Sequence, residues 1–198
     1  MNEVRNVAIL VFDEVEVLDF CGPFEVFSVT GRQKEQLPFN VYTVAEKSGP
    51  VLAHNQLSVN PRYTITDCPV PDILVVPGGW GTRREMNNAG LIDWIKTTAQ
   101  KAELVLSVCT GALLLAKAGL LDGLKATTHH GALDLLREIA PETTVLDNQR
   151  VVDNGKIIVS AGVSAGIDAA FHVVARLHGP EVALETARYM EYDWRHET

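Results

Sequence analysis

The chain has 198 residues, 46% apolar and 21% charged, a composition that fits one globular domain spanning residues 1–198 around a single sizeable core. A formal net charge of -8 with no lysine- or arginine-rich run argues against polyanions, so nucleic acid is not an expected partner. The opening MNEVRNVAILVF holds one short apolar run that Asp13 and Glu14 interrupt. It fits neither a signal peptide nor a spanning helix, and the expectation is a cytoplasmic protein away from membranes. Cys21, Cys68 and Cys109 are an odd count at irregular spacing and are expected to be reduced thiols.

Apolar runs bounded by turn residues alternate with stretches of helical periodicity, the pattern of an α/β fold with a mostly parallel sheet. Val7 to Phe12 reads as the first buried strand, and Gly22-Pro23 as the opening of a helix over Phe24 to Val29. Phe39 to Ala45 is the second strand, and Leu52 to Arg62 a short excursion or hairpin. Asp72 to Val76 is a core strand ending in Pro77-Gly78-Gly79, followed by a helix over Ala89 to Lys101. Leu104 to Val108 is a strand that runs into Cys109-Thr110-Gly111, and a helix over Ala112 to Ala118 ends at Gly119. Downstream, Ala126 to His129 reads as a strand and Ala132 to Ile139 as a helix. Val151 to Ser160 reads as two strands about the Asn154-Gly155 turn. Helices over Ser164 to His178 and Pro180 to Tyr192 close the chain.

The junction at Cys109 carries the chemistry. A cysteine between a buried strand and a helix start has the position of a nucleophile elbow, where helix N–H groups and positive potential favour a thiolate. A lowered thiol pKa is therefore expected, with the Thr110 N–H placed to stabilise charge on a substrate. A buried, inert cysteine is the commoner fate of a free thiol, and spacing alone leaves the two readings even. The Pro77-Gly78-Gly79-Trp80-Gly81 loop ends a neighbouring strand at the same sheet edge, where open α/β folds bind ligands, and its glycines let the backbone approach closely.

Six segments together resemble the ThiJ/PfpI superfamily, a class I glutamine-amidotransferase-like group: Leu18-Asp19-Phe20-Cys21-Gly22-Pro23-Phe24-Glu25-Val26-Phe27, Val75-Val76-Pro77-Gly78-Gly79-Trp80-Gly81, Ser107-Val108-Cys109-Thr110-Gly111-Ala112, Ala118-Gly119-Leu120-Leu121-Asp122-Gly123, Ala126-Thr127-Thr128-His129 and Ser160-Ala161-Gly162-Val163-Ser164-Ala165-Gly166-Ile167-Asp168. The resemblance covers essentially the whole chain. It implies a flavodoxin-like three-layer sandwich with Cys109 as the reactive residue and Asp19 as the acid beside it. Members proposed as peptidases carry histidine after the cysteine, where this chain has Thr110. The Cys-Thr pair with an aspartate is instead similar to the isonitrile hydratase branch. That branch implies hydration of isonitriles to N-substituted formamides through a covalent thioimidate on Cys109, with Asp19 as general acid and base. No metal or organic cofactor is implied. Gly78, Gly79, Thr110 and His129 would line the substrate and oxyanion pocket. Two alternatives share the same cysteine: a redox or electrophile-responsive stress protein, and glyoxalase- or deglycase-like chemistry on small aldehydes. The segments also resemble the sensor half of regulators with a C-terminal helix-turn-helix domain, which is not expected here because the sequence stops at Thr198.

A carboxylate beside a thiolate should raise both pKa values, so Asp19 and Cys109 are expected to share a proton; the competing reading of Asp19 is a cap for the helix near Pro23. Glu25 is a candidate second buried carboxylate, although an exposed charge is usual. Cys21 reads as small buried packing, Cys68 as a loop residue, and His172, His178 and His196 as surface or packing residues. Trp80 is placed at the pocket mouth, and Trp94 and Trp194 in helix packing. The superfamily is usually dimeric, and Phe24, Val26, Phe27 and Val29 exceed what one helix face buries against a sheet, so a homodimer through this helix is expected.

Overall fold

The structure is a computed structural model that describes residues 4–32 and 37–194. In chain order the strands and helices are β1 (Arg5–Leu10), α1 (Val17–Val29), β2 (Phe39–Ala45), β3 (Val51–Leu52), β4 (Ser58–Val59), β5 (Tyr63–Thr64), β6 (Ile73–Val76), α2 (Thr82–Glu85) and α3 (Ala89–Lys101). They continue with β7 (Leu104–Ser107), α4 (Gly111–Lys117), β8 (Lys125–Ala126), α5 (Leu133–Ile139), β9 (Thr144–Val145), β10 (Val151–Asp153), β11 (Ile157–Ser160), α6 (Ala165–His178) and α7 (Pro180–Tyr189). The main sheet runs β10-β11-β7-β6-β1-β2-β5, parallel throughout except that β10 pairs antiparallel with β11.

Helices α1, α6 and α7 pack together as one layer, and α2, α3, α4 and α5 as the other. Both faces of the sheet are thus covered, which is why β6 (ILVV) and β7 (LVLS) are buried at every position and read as continuous apolar runs. The result is the flavodoxin-like three-layer arrangement. Chain direction across the sheet reverses between β1 and β6, and the crevice at that reversal lies at the carboxyl ends of both strands. No helix among the described residues is long and apolar enough to cross a membrane.

Two expected elements are different in the structure. The first helix starts at Val17, and Pro23 sits inside it instead of opening it. An internal proline lacks the amide that would bond the Asp19 carbonyl, at a cost of about 3 kcal/mol. Burial of Phe20, Val26 and Phe27 is favourable by roughly 1.5–3 kcal/mol each and outweighs it. Ala126 to His129 does not add a strand to the main sheet: only Lys125–Ala126 is extended, paired with Thr144–Val145 in a separate two-stranded ribbon. The hairpin over the 51–59 segment forms, as do the two strands about Asn154-Gly155. The short strand β5, which edges the main sheet beside β2, and the one-turn helix α2 have no counterpart in the periodicity.

Candidate active site

Three loops converge at the reversal point. The segment after β1 is laced to the loop after β6: the Glu16 N–H donates to the Gly78 carbonyl (2.9 Å), the Gly81 N–H donates to the Glu14 carbonyl (3.2 Å), and Val15 and Gly79 form an isolated bridge. Gly79 has φ 122°, and a Cβ there would lie 2.4 Å from the Glu14 carbonyl oxygen, so only glycine fits. This lacing fixes the start of α1, and with it Asp19, which lies in the first helical turn with no exposed surface. Asp19 is therefore not a cap for a helix beginning at Pro23. Its side chain turns inward, where Oδ2 accepts the Gly78 N–H at 3.0 Å. Gly78 is equally constrained, since a Cβ would sit 2.5 Å from the Thr110 nitrogen and 2.9 Å from Asp19 Oδ2.

Cys109 follows β7 with φ 56°, a sparsely populated conformation for a residue with a Cβ and one that costs about 1–3 kcal/mol. Two backbone bonds hold it there. Its N–H donates to the Ala161 carbonyl (3.1 Å), and its carbonyl accepts the Thr128 hydroxyl (2.8 Å). The amides of Thr110 and Val163 act on the sulfur to lower the thiol pKa, and Val163 is itself held at φ 48°. The turn is an elbow in geometry, but the thiol is not lifted into solvent: Cys109 is 5% exposed.

The electrostatics follow from that burial. Desolvation raises the Asp19 carboxyl from 3.8 to about 7, against the lowering effect of the Gly78 amide and the Cys109 thiol. Asp19 Oδ1 is buried without a hydrogen-bond partner of ordinary geometry, while the carboxyl as a whole lies within the field of the thiol. Desolvation first, and the Asp19 charge second, push Cys109 up to about 12. The lowering expected from the helix start does not occur, because burial and the Asp19 charge outweigh the two amides, while both groups are raised as their pairing implies. Between the two values the pair carries one negative charge and one proton between sulfur and carboxyl.

The pocket beside this pair is small, about 200 Å³, and is lined by Cys109, Thr110, Gly79, His129, Glu16, Trp80, Arg83, Gly131 and Val163. Roomier clefts of about 580 Å³ near Glu85 and about 610 Å³ near Arg150 are lined by no cysteine. Of the expected pocket residues, Thr110, Gly79 and His129 line it, and Gly78 lies behind, bonded to Asp19. The Gly79 N–H donates to the Thr110 hydroxyl (2.9 Å), which also meets the Thr82 hydroxyl (3.2 Å). The Gly78 and Gly79 amides are thus engaged, and of the expected amide donors only Thr110 N–H acts on the sulfur, lowering the thiol pKa.

His129 Nδ1 accepts the Gly131 N–H (3.1 Å), which puts the proton of the neutral ring on Nε2. Its pKa is lowered by desolvation, then by His130 and Arg83, so the ring is neutral at pH 7.

Residues outside the sequence reading complete the site. Glu16 and Arg83 flank the pocket. Thr82 braces Thr110, and Val163 lines the pocket with an amide that favours the thiolate. Thr82 and Arg83 directly follow the glycine loop, and Val163 lies within a segment quoted for the family, so their positions were legible although their roles were not. Glu25 is exposed, which removes it as a second buried carboxylate. Cys21 and Cys68 are half-buried free thiols. His172 bonds Asp153 (2.7 Å), His178 packs edge-on to Phe39, and His196 lies outside the described residues. Trp94 packs against the core from α3. Trp194 packs on Phe171 of α6 from beyond the end of α7. Among the described residues no group of His, Cys, Asp or Glu is arranged to hold a metal ion.

Comparison with known proteins bears on this arrangement. The chain is 36% identical to the isonitrile hydratase of Pseudomonas putida over 188 residues, covering 94% of this chain and 78% of that protein. It is 32% identical over 178 residues to the HTH-type transcriptional regulator CdhR of Pseudomonas aeruginosa, of which it spans 52%. Among solved structures, a ThiJ/PfpI family protein from Pseudomonas syringae superposes with a TM-score of 0.87 at 30% identity, covering 99% of this chain and 78% of that one. The DJ-1/PfpI family profile matches residues 5–176, and the chain belongs to that family.

Proposed function

We propose that the protein hydrates small isonitriles to N-substituted formamides, with Cys109 as nucleophile and Asp19 as general acid and base. The observation that carries this reading is the buried Asp19 carboxyl, held at about 7 in the field of the Cys109 thiol, which supplies one transferable proton to the pair near neutral pH. In the reactive form the proton is on Asp19 and the charge on sulfur. The thiolate attacks the terminal isonitrile carbon and Asp19 delivers its proton to the same carbon, giving a thioimidate. Water then adds across the C=N bond, its hydroxyl to carbon and its proton, by way of Asp19, to nitrogen. Collapse forms the carbonyl, breaks the C–S bond and returns the hydroxyl proton to Asp19, so the sum is isonitrile plus water giving formamide. The Thr110 and Val163 amides hold the sulfur anion, and the neutral His129 ring offers Nε2–H to the developing charge. The similarity to isonitrile hydratase supports the choice of reaction.

An oxidation sensor needs an exposed, low-pKa thiol, and a buried thiol raised to about 12 is poorly suited to that role. We further infer a homodimer. Val26, Phe27 and Val29 are buried within the protomer and Phe24 is half-buried against its core, so the face expected to join two copies is largely spent inside one. Leu18 of α1 and Leu52 of the β3–β4 hairpin are 37% and 42% exposed, on segments joined by the Glu14 N–H to Leu52 carbonyl bond (2.8 Å), and they carry this expectation instead. The reaction is tested by measuring formamide release across a panel of small isonitriles beside methylglyoxal and peptide controls. Turnover of an aldehyde or a peptide with none of any isonitrile would overturn the reading.

A further inference from the structure

The pocket beside the buried pair carries a cation, Arg83, that forms no ion pair among the described residues. Arg83 donates from Nη1 to the Gly79 carbonyl (3.3 Å) and the Thr82 hydroxyl (3.2 Å), and its guanidinium lies over the Trp80 ring at 4.8 Å. Among the described residues no carboxylate forms an ion pair with it, and Nε and Nη2 make no hydrogen bond. An arginine pinned by two acceptors and an aromatic face loses little rotamer freedom when a ligand arrives, and its remaining N–H fork matches a planar carboxylate. Arg83 shares the 200 Å³ pocket with the sulfur, and its charge is felt at His129 on the same wall.

The geometry points to a small substrate bearing a carboxylate, which Arg83 holds while the reactive group reaches Cys109. This deepens the isonitrile reading and rests on it for the reaction, making the substrate class an isocyano carboxylate; the recognition of the anion does not depend on that reading. The pocket volume lies below the ~300 Å³ at which drug-sized ligand sites begin, which favours a compact molecule with its apolar body against Trp80. Glu16 is the opposing charge in the pocket, and it sets how strongly an anion is preferred.

The test uses two alkylating agents that differ in charge. Iodoacetate and iodoacetamide both alkylate thiolates, and the ratio of their rates at Cys109, read on its own peptide apart from the half-buried Cys21 and Cys68, cancels any change in thiol reactivity itself. Arg83→Met should lower the iodoacetate-to-iodoacetamide ratio about tenfold. Arg83→Lys should restore part of it, and Glu16→Gln should raise it. For turnover, an isocyano carboxylate should show a lower KM than its methyl ester in the native protein, with the difference lost in Arg83→Met. A ratio unchanged by Arg83→Met, in protein with native circular dichroism, would overturn the anion site whatever the reaction proves to be. Failure to hydrate any isonitrile would instead remove the reaction while the alkylation ratio still decides the site.

Discussion

Burial first, and the charge of the neighbouring Asp19 second, hold the Cys109 thiol in its protonated form, while burial holds the Asp19 carboxyl itself at about 7. The two groups therefore lose their first proton as a pair near neutrality and the second only near 12, and in between a fraction of the molecules carries thiolate beside carboxylic acid. Alkylation of Cys109 by neutral iodoacetamide should rise through about pH 7 and then level off. In Asp19→Asn the thiol has no partner to take its proton, and burial, the largest cause of its raised pKa, remains. The midpoint should move above 9.0, so the rate should keep rising with pH where that of the native protein has levelled off. A variant that still titrated near 7 would show that Asp19 does not hold the shared proton.

The same carboxyl makes stability depend on pH in a definite direction. Its pKa in the fold, about 7, lies above the 3.8 of the unfolded chain, so between these values the folded state binds more protons. Stability therefore falls as pH rises from about 4 to about 7 and is flat in this contribution above that, by an amount on the order of 4 kcal/mol for a fully buried group. Asp19→Asn cannot ionise and should lack this slope. Urea unfolding of both proteins at closely spaced pH values measures the difference, and parallel curves would mean that Asp19 ionises freely in the fold.

Replacing Cys109 with alanine should abolish formamide release while costing about 1 kcal/mol of stability or less. The bonds that fix the elbow run from its backbone to Ala161 and Thr128, and neither uses the sulfur. Retained turnover in the alanine variant would exclude a covalent intermediate on this residue. Loss of folding would mean that the buried sulfur carries more of the local packing than one small side chain accounts for.

The sheet was legible because its central strands are buried on both faces and so appear as unbroken apolar runs, as in Ile73–Val76 and Leu104–Ser107. The turn at Asn154-Gly155 was legible because its residues demand that conformation. The start of α1 was not, because Pro23 carries a strong local signal for a first turn, and only tertiary burial of Phe20, Val26 and Phe27 sustains a helix through it. At the site, the sequence marked Cys109 and Asp19 through the motifs that hold them. It did not show that the thiol is buried, so the lowering expected from the helix start has the wrong sign, whereas the rise expected from pairing Asp19 with Cys109 has the right one. Arg83 and Val163 escaped for a related reason: one acts through where its side chain is pinned and the other through a strained backbone, neither of which is written in residue type.

Assembly is the last expectation open to measurement. With Val26, Phe27 and Val29 inside the protomer, Phe27→Glu would bury a charge and unfold the chain, so it cannot report on an interface. Leu18 and Leu52 are surface positions on segments that the Glu14 and Leu52 bond ties together, and glutamate at either is compatible with the folded protomer. If this face joins two copies, the native protein should sediment as a dimer at micromolar concentration, and Leu18→Glu or Leu52→Glu should shift it towards monomer at least tenfold in dissociation constant. Because Leu18 directly precedes Asp19, the split protein should also lose turnover as the start of α1 loosens. A native protein that is monomeric and fully active would remove the interface from the functional account. A dimer indifferent to both substitutions would place the interface on another face.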